Sequence, residues 1–269
     1  MKYKLFISDF DGTLGRAPDI IEPETVRAIK EYESKGGIFA ICTGRMYSSV
    51  KKICAKYGFR GIVVSYQGAM INEIETGKCL YSGGLEPSLA AEVVKYFTDQ
   101  GINVIADMDD KMYYERMSDF IDRYEKATEV YGTIVKDMVG LTRNSGKKVN
   151  KILGLCGPET AKYHTALLRE KYKGRVIFNN GAPVLVEAVS PDCSKKFAVE
   201  FLAKYYGVPF EEVLAVGDST NDLELLNGGW HKVAVGNACD ELKAAADEVT
   251  VPYKEQPVKY LLEKYCIQA

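Results

Sequence analysis

The sequence predicts an α/β fold, a doubly wound parallel sheet interrupted by an inserted α+β domain. In both terminal parts of the chain, short apolar runs alternate with helical stretches, which is the βαβ rhythm of a parallel sheet covered on both faces. The middle of the chain instead combines longer helices with a hairpin signal at residues 179–181 (NNG). We therefore expect a core made of residues 1–82 and 188–269, with residues 83–187 as the insert.

The N-terminal part begins with an apolar run at residues 5–7, which ends in polar residues and predicts a buried strand. A helix is expected over residues 24–34, because Pro23 suits a first helical position and Gly36 and Gly37 suit its end. The next apolar and helical runs predict strand, helix and strand over residues 38–42, 46–57 and 62–64.

The same alternation returns near the C-terminus. We expect helix, strand, short helix, strand and helix over residues 196–206, 213–216, 221–226, 232–235 and 241–246. In the insert, the pattern predicts helices over 88–99 and 159–171 and strands over 103–105 and 151–155. The acids Asp107, Asp109 and Asp110 are expected to form a turn.

The composition is that of an ordinary globular protein, with 46% hydrophobic and 27% charged residues. A formal charge of −2 gives no electrostatic case for a nucleic-acid or anionic-membrane partner. We expect no membrane span, and the short apolar run near Met1 stops too soon for a signal peptide. Seven cysteines without a C-x-x-C pair favour a reducing cytoplasm. The oligomeric state is not predicted.

The strongest functional signal is the run DFDGTL at residues 9–14, at the end of the first predicted strand. Side chains two apart in extended chain point the same way, so Asp9 and Asp11 can face one pocket. Ligands of open parallel sheets bind at the carboxyl ends of strands, where these acids lie. Two close carboxylates repel each other, and a divalent cation would relieve that repulsion.

Two further segments have the chemistry to hold a phosphate. Thr43 and Gly44 follow the second strand and offer a hydroxyl and a backbone amide at the start of a helix. Lysines 195 and 196 open a later helix, where the helix dipole already favours anions, and position alone does not choose between them. Arg45 is interpreted as a solvated or salt-bridged surface residue.

The fourth segment is GDSTND at residues 217–222, directly after the strand at 213–216. Its acidic and amide side chains at a strand end are typical of ligands for hard cations and phosphate. A simple helix cap is the alternative for this segment alone, and its combination with residues 9–14 favours function.

In this order, the four segments resemble the motifs of the haloacid dehalogenase-like (HAD) phosphatase superfamily. The long insert is similar to the cap of the Cof-type subfamily IIB. The stretch VAVGNA at residues 233–238 and the residues that follow it resemble the Cof-type tail. The resemblance covers nearly the whole chain and implies a Rossmann-like HAD core with a cap that closes over the strand ends and determines selectivity.

The resemblance also implies roles for individual residues. Asp9 would be the nucleophile and Asp11 the general acid and base. Mg2+ would be bound by Asp9, the carbonyl of Asp11 and Asp218. The phosphate would be held by Thr43, the amide of Gly44, Lys195 and Asn221, with Lys195 preferred to Lys196 by alignment. Asp222 would orient the neighbouring groups.

The implied activity is hydrolysis of a small phosphorylated metabolite, such as a sugar phosphate or a cofactor-related phosphate, through an aspartyl-phosphate. A phosphomutase with the same carboxylates and a non-enzymatic phospho-acceptor switch are the alternatives; Asp11 and the insert favour turnover over the switch. The chain departs from the Cof-type pattern at Gln67–Gly68, where Asn-Gly is usual, and over residues 251–258. Both departures concern the substrate rather than the phosphoryl chemistry.

Overall fold

The computed structural model describes residues 1–16 and 20–267, and it divides the chain into two compact units. Met1–Leu80 with Ser194–Ala269 form what we call the core unit, and Tyr81–Cys193 form the inserted unit.

The strands, in chain order, are β1 (Leu5–Ser8), β2 (Ile38–Cys42), β3 (Ile62–Ser65), β4 (Met70–Glu73), β5 (Cys79–Ser82), β6 (Asn103–Met108), β7 (Lys111–Tyr114), β8 (Thr133–Ile134), β9 (Lys151–Leu155), β10 (Ile177–Asn179), β11 (Leu185–Val189), β12 (Val213–Gly217), β13 (His231–Ala234) and β14 (Glu248–Val249). The α-helices are α1 (Pro23–Ser34), α2 (Tyr47–Tyr57), α3 (Pro87–Asp99), α4 (Asp119–Thr128), α5 (Met138–Asn144), α6 (Pro158–Lys171), α7 (Lys195–Tyr206), α8 (Asp240–Ala245) and α9 (Pro257–Leu262).

The core unit is built on a sheet of eight strands in the order β14-β13-β12-β1-β2-β3-β4-β5. All neighbouring pairs from β14 to β3 are parallel, whereas β4 runs antiparallel to β3. Every residue of β1 and β12 is buried, as expected for strands covered on both faces. The predicted α/β fold class is therefore confirmed, with an antiparallel strand added beyond β3.

This topology positions the predicted motifs. β1 lies between β12 and β2, so the carboxyl ends of the three strands meet at one edge of the sheet. Asp9 follows β1, Thr43 follows β2 and Asp218 follows β12. The segment after Asp218 differs from prediction: instead of a helix over 221–226, a single 3₁₀ turn covers Thr220–Asp222.

The inserted unit has a six-stranded sheet in the order β10-β11-β9-β6-β7-β8. Its neighbouring strands are antiparallel except for β7 and β8. Residues such as Phe97, Ala106, Ile152 and Val186 form its hydrophobic core against α3 and α6. The predicted hairpin is present as β10 and β11, although its loop runs over residues 180–184 rather than three residues.

The interpretation of Asp107 as part of a turn is wrong. Asp107 lies in β6, is fully buried and pairs in register with Lys151 of β9. Asp109 and Asp110, with φ values of 54° and 56°, form the turn to β7. The spacing of the three acids did not reveal that the strand continues through the first of them.

Across residues 1–16 and 20–267, no helix combines the length and the apolar character needed to cross a bilayer.

Candidate active site

The centre of the site is a buried lysine that bridges two aspartates. Lys195 Nζ donates hydrogen bonds to Asp9 Oδ1 at 2.7 Å and to Asp222 Oδ1 at 2.6 Å. The exposed fractions of Lys195, Asp9 and Asp222 are 1%, 5% and 0%. Because two of the three ammonium hydrogens are used, the third is available for a ligand oxygen.

The local fold explains why Lys195, and not Lys196, reaches these carboxylates. The hydroxyl of Ser194 caps α7 by accepting from the Phe197 N–H, which places Lys195 at the first helical position. Lys195 is buried there, whereas Lys196 is only half-buried. Lys195, rather than Lys196, is therefore the lysine that contacts Asp9 and Asp222.

Asp222 is held on both sides. While its Oδ1 accepts from Lys195, its Oδ2 accepts from the backbone N–H groups of Asp218 and Ser219 at 3.0 and 3.1 Å. With both oxygens engaged, Asp222 is suited to orienting Lys195 and the loop after β12 rather than to binding a ligand directly.

Burial dominates the electrostatics of the cluster. Burial raises the pKa of Asp9 from 3.8 to about 8, although the Lys195 charge opposes the shift. Burial, together with the Asp222 charge, raises the pKa of Asp218 to about 6. For Lys195, burial favours the neutral form, but the charges of Asp222 and Asp9 outweigh it and raise the pKa. Additional positive charge near Asp9 and Asp218 would therefore stabilise their ionised forms.

The donor set fits a divalent cation. One carboxylate oxygen from each of Asp9, Asp218 and Asp222 lies within 4.8 Å of the others, and Asp218 is only half-buried. Because both oxygens of Asp222 are already engaged, Asp9 and Asp218 are the carboxylates that remain for an ion. Gly12 has a φ of 87°, and a Cβ there would lie 2.3 Å from Asp218 Oδ2, so the missing side chain makes room for this carboxylate. Clustered carboxylate oxygens are the hard ligands that Mg2+ prefers, and the charge of the ion would favour their ionised forms.

Asp11 does not join this cluster. Its carboxylate accepts from Arg45 Nε at 2.9 Å and from Arg45 Nη2 at 2.7 Å, a bidentate pair, and the guanidinium lies 4.7 Å above the Phe10 ring centroid. The chain turns away from extended structure after Asp9, because Gly12 closes a tight turn with Gly15. The interpretation of Arg45 as salt-bridged therefore holds, with Asp11 as its partner.

Thr43 and Gly44 line the neighbouring strand end. Thr43 is buried, and its Oγ1 accepts from the Arg45 N–H at 3.3 Å, which leaves the hydroxyl hydrogen free to donate. A Cβ on Gly44 would lie 2.6 Å from Gln67 Nε2, so the amide side chain of Gln67 covers this glycine.

Asn221 is placed differently from the other predicted residues. It is exposed, and its Oδ1 accepts from the Ser219 hydroxyl at 2.6 Å. The structure thus brings Asp9, Lys195, Asp218 and Asp222 together, and leaves Asn221 at the rim.

Sequence reasoning missed two contacts at this edge. It did not identify Arg45 as the partner of Asp11, and it treated Gln67 only as a departure from a family pattern. The available signal was position, since Arg45 follows β2 and Gln67 follows β3, the two strands next to β1.

The chain is similar to known proteins over nearly its full length. The family model of the haloacid dehalogenase-like hydrolases matches residues 6–262. The chain is 27% identical to a 5-amino-6-(5-phospho-D-ribitylamino)uracil phosphatase of Bacillus subtilis, with 97% of each chain covered. It is 25% identical to an HMP-PP phosphatase of Serratia proteamaculans, with 98% of this chain and 95% of that protein covered. A crystal structure from Thermotoga maritima superposes with a TM-score of 0.88 at 27% identity, covering 97% of both chains.

Proposed function

Because this chain belongs to the haloacid dehalogenase-like hydrolase family and is a phosphoric monoester hydrolase of it, we propose that it hydrolyses a small phosphorylated metabolite through an aspartyl-phosphate on Asp9, with Mg2+ as cofactor. The observation that carries the proposal is the Lys195 bridge between Asp9 and Asp222. It fixes one carboxylate at the strand end and keeps one ammonium hydrogen for a phosphate.

Each residue has a defined task in this reaction. The carboxylate of Asp9 attacks phosphorus, and the bond between phosphorus and the ester oxygen breaks. Asp11, which takes up a proton from solvent when it separates from Arg45, gives that proton to the departing alkoxide. A water then attacks the phosphorus of the aspartyl-phosphate, gives its proton to Asp11, and the Asp9–phosphorus bond breaks to release phosphate.

The remaining groups hold the charge on the transferring oxygens. Lys195 uses its third N–H, and the Thr43 hydroxyl, the Gly44 amide and Asn221 supply further donors. Asp11 must leave Arg45 to reach the ester oxygen, so this pair exchanges partners during turnover. Asp9, Asp218 and the Asp11 carbonyl would hold Mg2+, which supplies the positive charge that lets an anionic nucleophile approach a phosphate dianion.

The substrate class is inferred from the relatives. The B. subtilis protein is named for a phosphorylated ribitylaminouracil and the Serratia protein for HMP-PP, and both align over nearly the full length of this chain. We propose a substrate of comparable size, and we propose that the inserted unit acts as the cap that selects it.

The decisive experiment is phosphate release from a panel of phosphorylated metabolites with Mg2+ and then with EDTA. We expect release that requires Mg2+ and stops on chelation. Activity that survives EDTA would contradict the metal assignment. Isomerised sugar phosphate without free phosphate would identify a phosphomutase, and a stable aspartyl-phosphate without hydrolysis would identify a switch.

A further inference from the structure

The segment that follows β3 has an unusual backbone. Tyr66 and Gln67 adopt φ values of 52° and 57°, and Gly68 follows with 105°. Two consecutive non-glycine residues in the left-handed region are unfavourable, and such conformations persist only where the surroundings hold them. We call residues 66–68 the β3 loop.

Contacts on two sides hold the β3 loop in this form. The N–H of Tyr66 donates to the carbonyl of Arg45, and the N–H of Gln67 donates to the carbonyl of Thr43, both at 3.1 Å. On the other side, a Cβ on Gly68 would lie 2.2 Å from the carbonyl oxygen of Ser194. The β3 loop thus contacts both the segment that offers Thr43 and the residue that caps the helix of Lys195.

The side-chain oxygen of Gln67 is left without a partner by this arrangement. Its Oε1 is shielded from solvent and has no hydrogen-bond partner among the described residues. Its Nε2 lies 2.6 Å from the position that a Cβ of Gly44 would occupy. A strained backbone therefore presents a carboxamide with an unsatisfied buried oxygen and places its Nε2 donor beside Gly44, which is an arrangement that stability alone does not favour.

We propose that Gln67 is a further phosphate-binding residue, whose carboxamide donates a hydrogen bond to an oxygen of the phosphate seated at Gly44. This inference rests on the proposed function for the location of the phosphate. The strained β3 loop positions the amide, and Gly44 provides the close approach that any larger residue would block.

The test measures phosphate binding apart from turnover. Equilibrium binding of inorganic phosphate in the presence of Mg2+, followed by calorimetry, is compared among the wild type, Gln67→Glu and Gln67→Gly. We expect Gln67→Glu to weaken binding at least about thirtyfold, because it replaces a donor with a like charge, and Gln67→Gly to weaken it about five- to tenfold. Gln67→Gly should also raise Tm, since glycine relieves the backbone strain.

Gln256 provides a matched control. It is also a glutamine in the left-handed region, with a φ of 57°, but its Oε1 accepts from Thr25 Oγ1. Gln256→Gly should relieve backbone strain without changing phosphate affinity.

Phosphate affinity within twofold of the wild type in both Gln67 variants would overturn the proposal, whatever the enzyme's turnover. Weakened binding in these variants of a protein that releases no phosphate would uphold it and contradict the proposed function instead. A wild type that neither turns over nor binds phosphate would overturn both.

Discussion

Each unit of this protein buries a lysine among carboxylates, and the two clusters are built differently. In the core unit, Lys195 donates to Asp9 and Asp222 at 2.7 and 2.6 Å, and Asp222 also accepts two backbone N–H groups. In the inserted unit, Lys151 lies 3.8 Å from Glu187, and both carboxylate oxygens of Asp107 are buried without a hydrogen-bond partner among the described residues.

The buried carboxylates of the two clusters therefore differ in how they are stabilised. Burial raises the pKa of Asp107 to about 7, with Asp110 and Glu187 adding to the shift and Lys151 opposing it, and Tyr124 lies against the same lysine. Among the described residues no group donates a hydrogen bond to the Asp107 carboxylate, whereas Asp9 and Asp222 both accept from the Lys195 ammonium group. A buried lysine near an aspartate is thus not by itself a candidate active site. In the core unit, hydrogen bonds also fix the positions of both groups.

The largest expected effect separates the two buried aspartates. Asp9→Asn should lower kcat by at least about 10⁴-fold, because an amide cannot attack phosphorus, while circular dichroism shows an intact fold. Asp107→Asn is the matched control, since it also neutralises a buried aspartate near a lysine, and its effect on kcat should be far smaller. An Asp9→Asn variant with turnover within tenfold of the wild type would refute the nucleophile assignment.

The second comparison removes the lysines. Lys195→Met leaves Asp9 and Asp222 buried without a counter-charge, so urea denaturation should show a loss of about 3–5 kcal/mol in the free energy of unfolding, with kcat/KM also reduced. Lys151→Met should cost less, because the Asp107 carboxylate has no hydrogen bond to lose among the described residues and Lys151 lies 3.8 Å from Glu187.

Lys196→Met is the control for position in the helix. Lys196 is only half-buried, so its change should stay within about 0.5 kcal/mol. Equal losses for Lys195→Met and Lys196→Met would mean that the Lys195 bridge is not what stabilises the core unit.

The stability of the inserted unit should depend on pH. The folded-state pKa of Asp107 is raised from 3.8 to about 7, so the folded unit binds more protons than the unfolded chain between these values. Stability must then fall as pH rises, by about 1.4 kcal/mol per unit between pH 5 and pH 6.5. Amide hydrogen exchange in β6 and β9, corrected for intrinsic rates, measures this slope.

Asp107→Asn should flatten that slope. Asp109→Asn is the control, because Asp109 is an exposed carboxylate that pairs with Lys147, and the slope should persist in this variant. A slope that survives Asp107→Asn would assign the proton uptake to another group.

The smallest effect is expected at the Arg45–Asp11 pair, which lies outside both clusters and is partly exposed. Arg45→Lys keeps the charge but loses the bidentate contact that orients Asp11 before it moves to the ester oxygen, and it should lower kcat about tenfold for an alkyl phosphate, whose leaving group needs a proton. An aryl phosphate, whose leaving group departs without one, should be affected less.

Arg60→Lys is the control for the arginine, since Arg60 is exposed and its ion pair with Glu75 spans 3.9 Å. A loss that is equal for the two types of ester would show that Arg45 does not act through Asp11.

Much of the core site was predictable because parallel strands bring their carboxyl ends to one edge. That rule, with the order of the motifs, placed Asp9, Thr43 and Asp218 together. Spacing could not choose between Lys195 and Lys196. The choice depends on where α7 begins, and Ser194 sets that point by capping the helix. The turn of Asp11 toward Arg45 was also beyond the sequence, since it depends on a long-range pair rather than on strand alternation.

The inserted unit was harder to predict for a different reason. Its antiparallel sheet depends on pairings between distant segments, so Asp107 looked like a turn residue when only its neighbours were considered. Its register opposite Lys151 appears only when β6 and β9 are paired.

The position of β1 has a consequence for how the protein is made. Its neighbours in the sheet, β2 and β12, come from opposite sides of the insertion, and 186 residues separate Asp9 from Lys195. At a ribosomal speed of roughly 5–20 residues per second, the first strand waits many seconds for its second neighbour. The contiguous stretch Tyr81–Cys193 emerges whole in the meantime, so nascent chains should acquire protease resistance there before Asp9 can pair with Lys195.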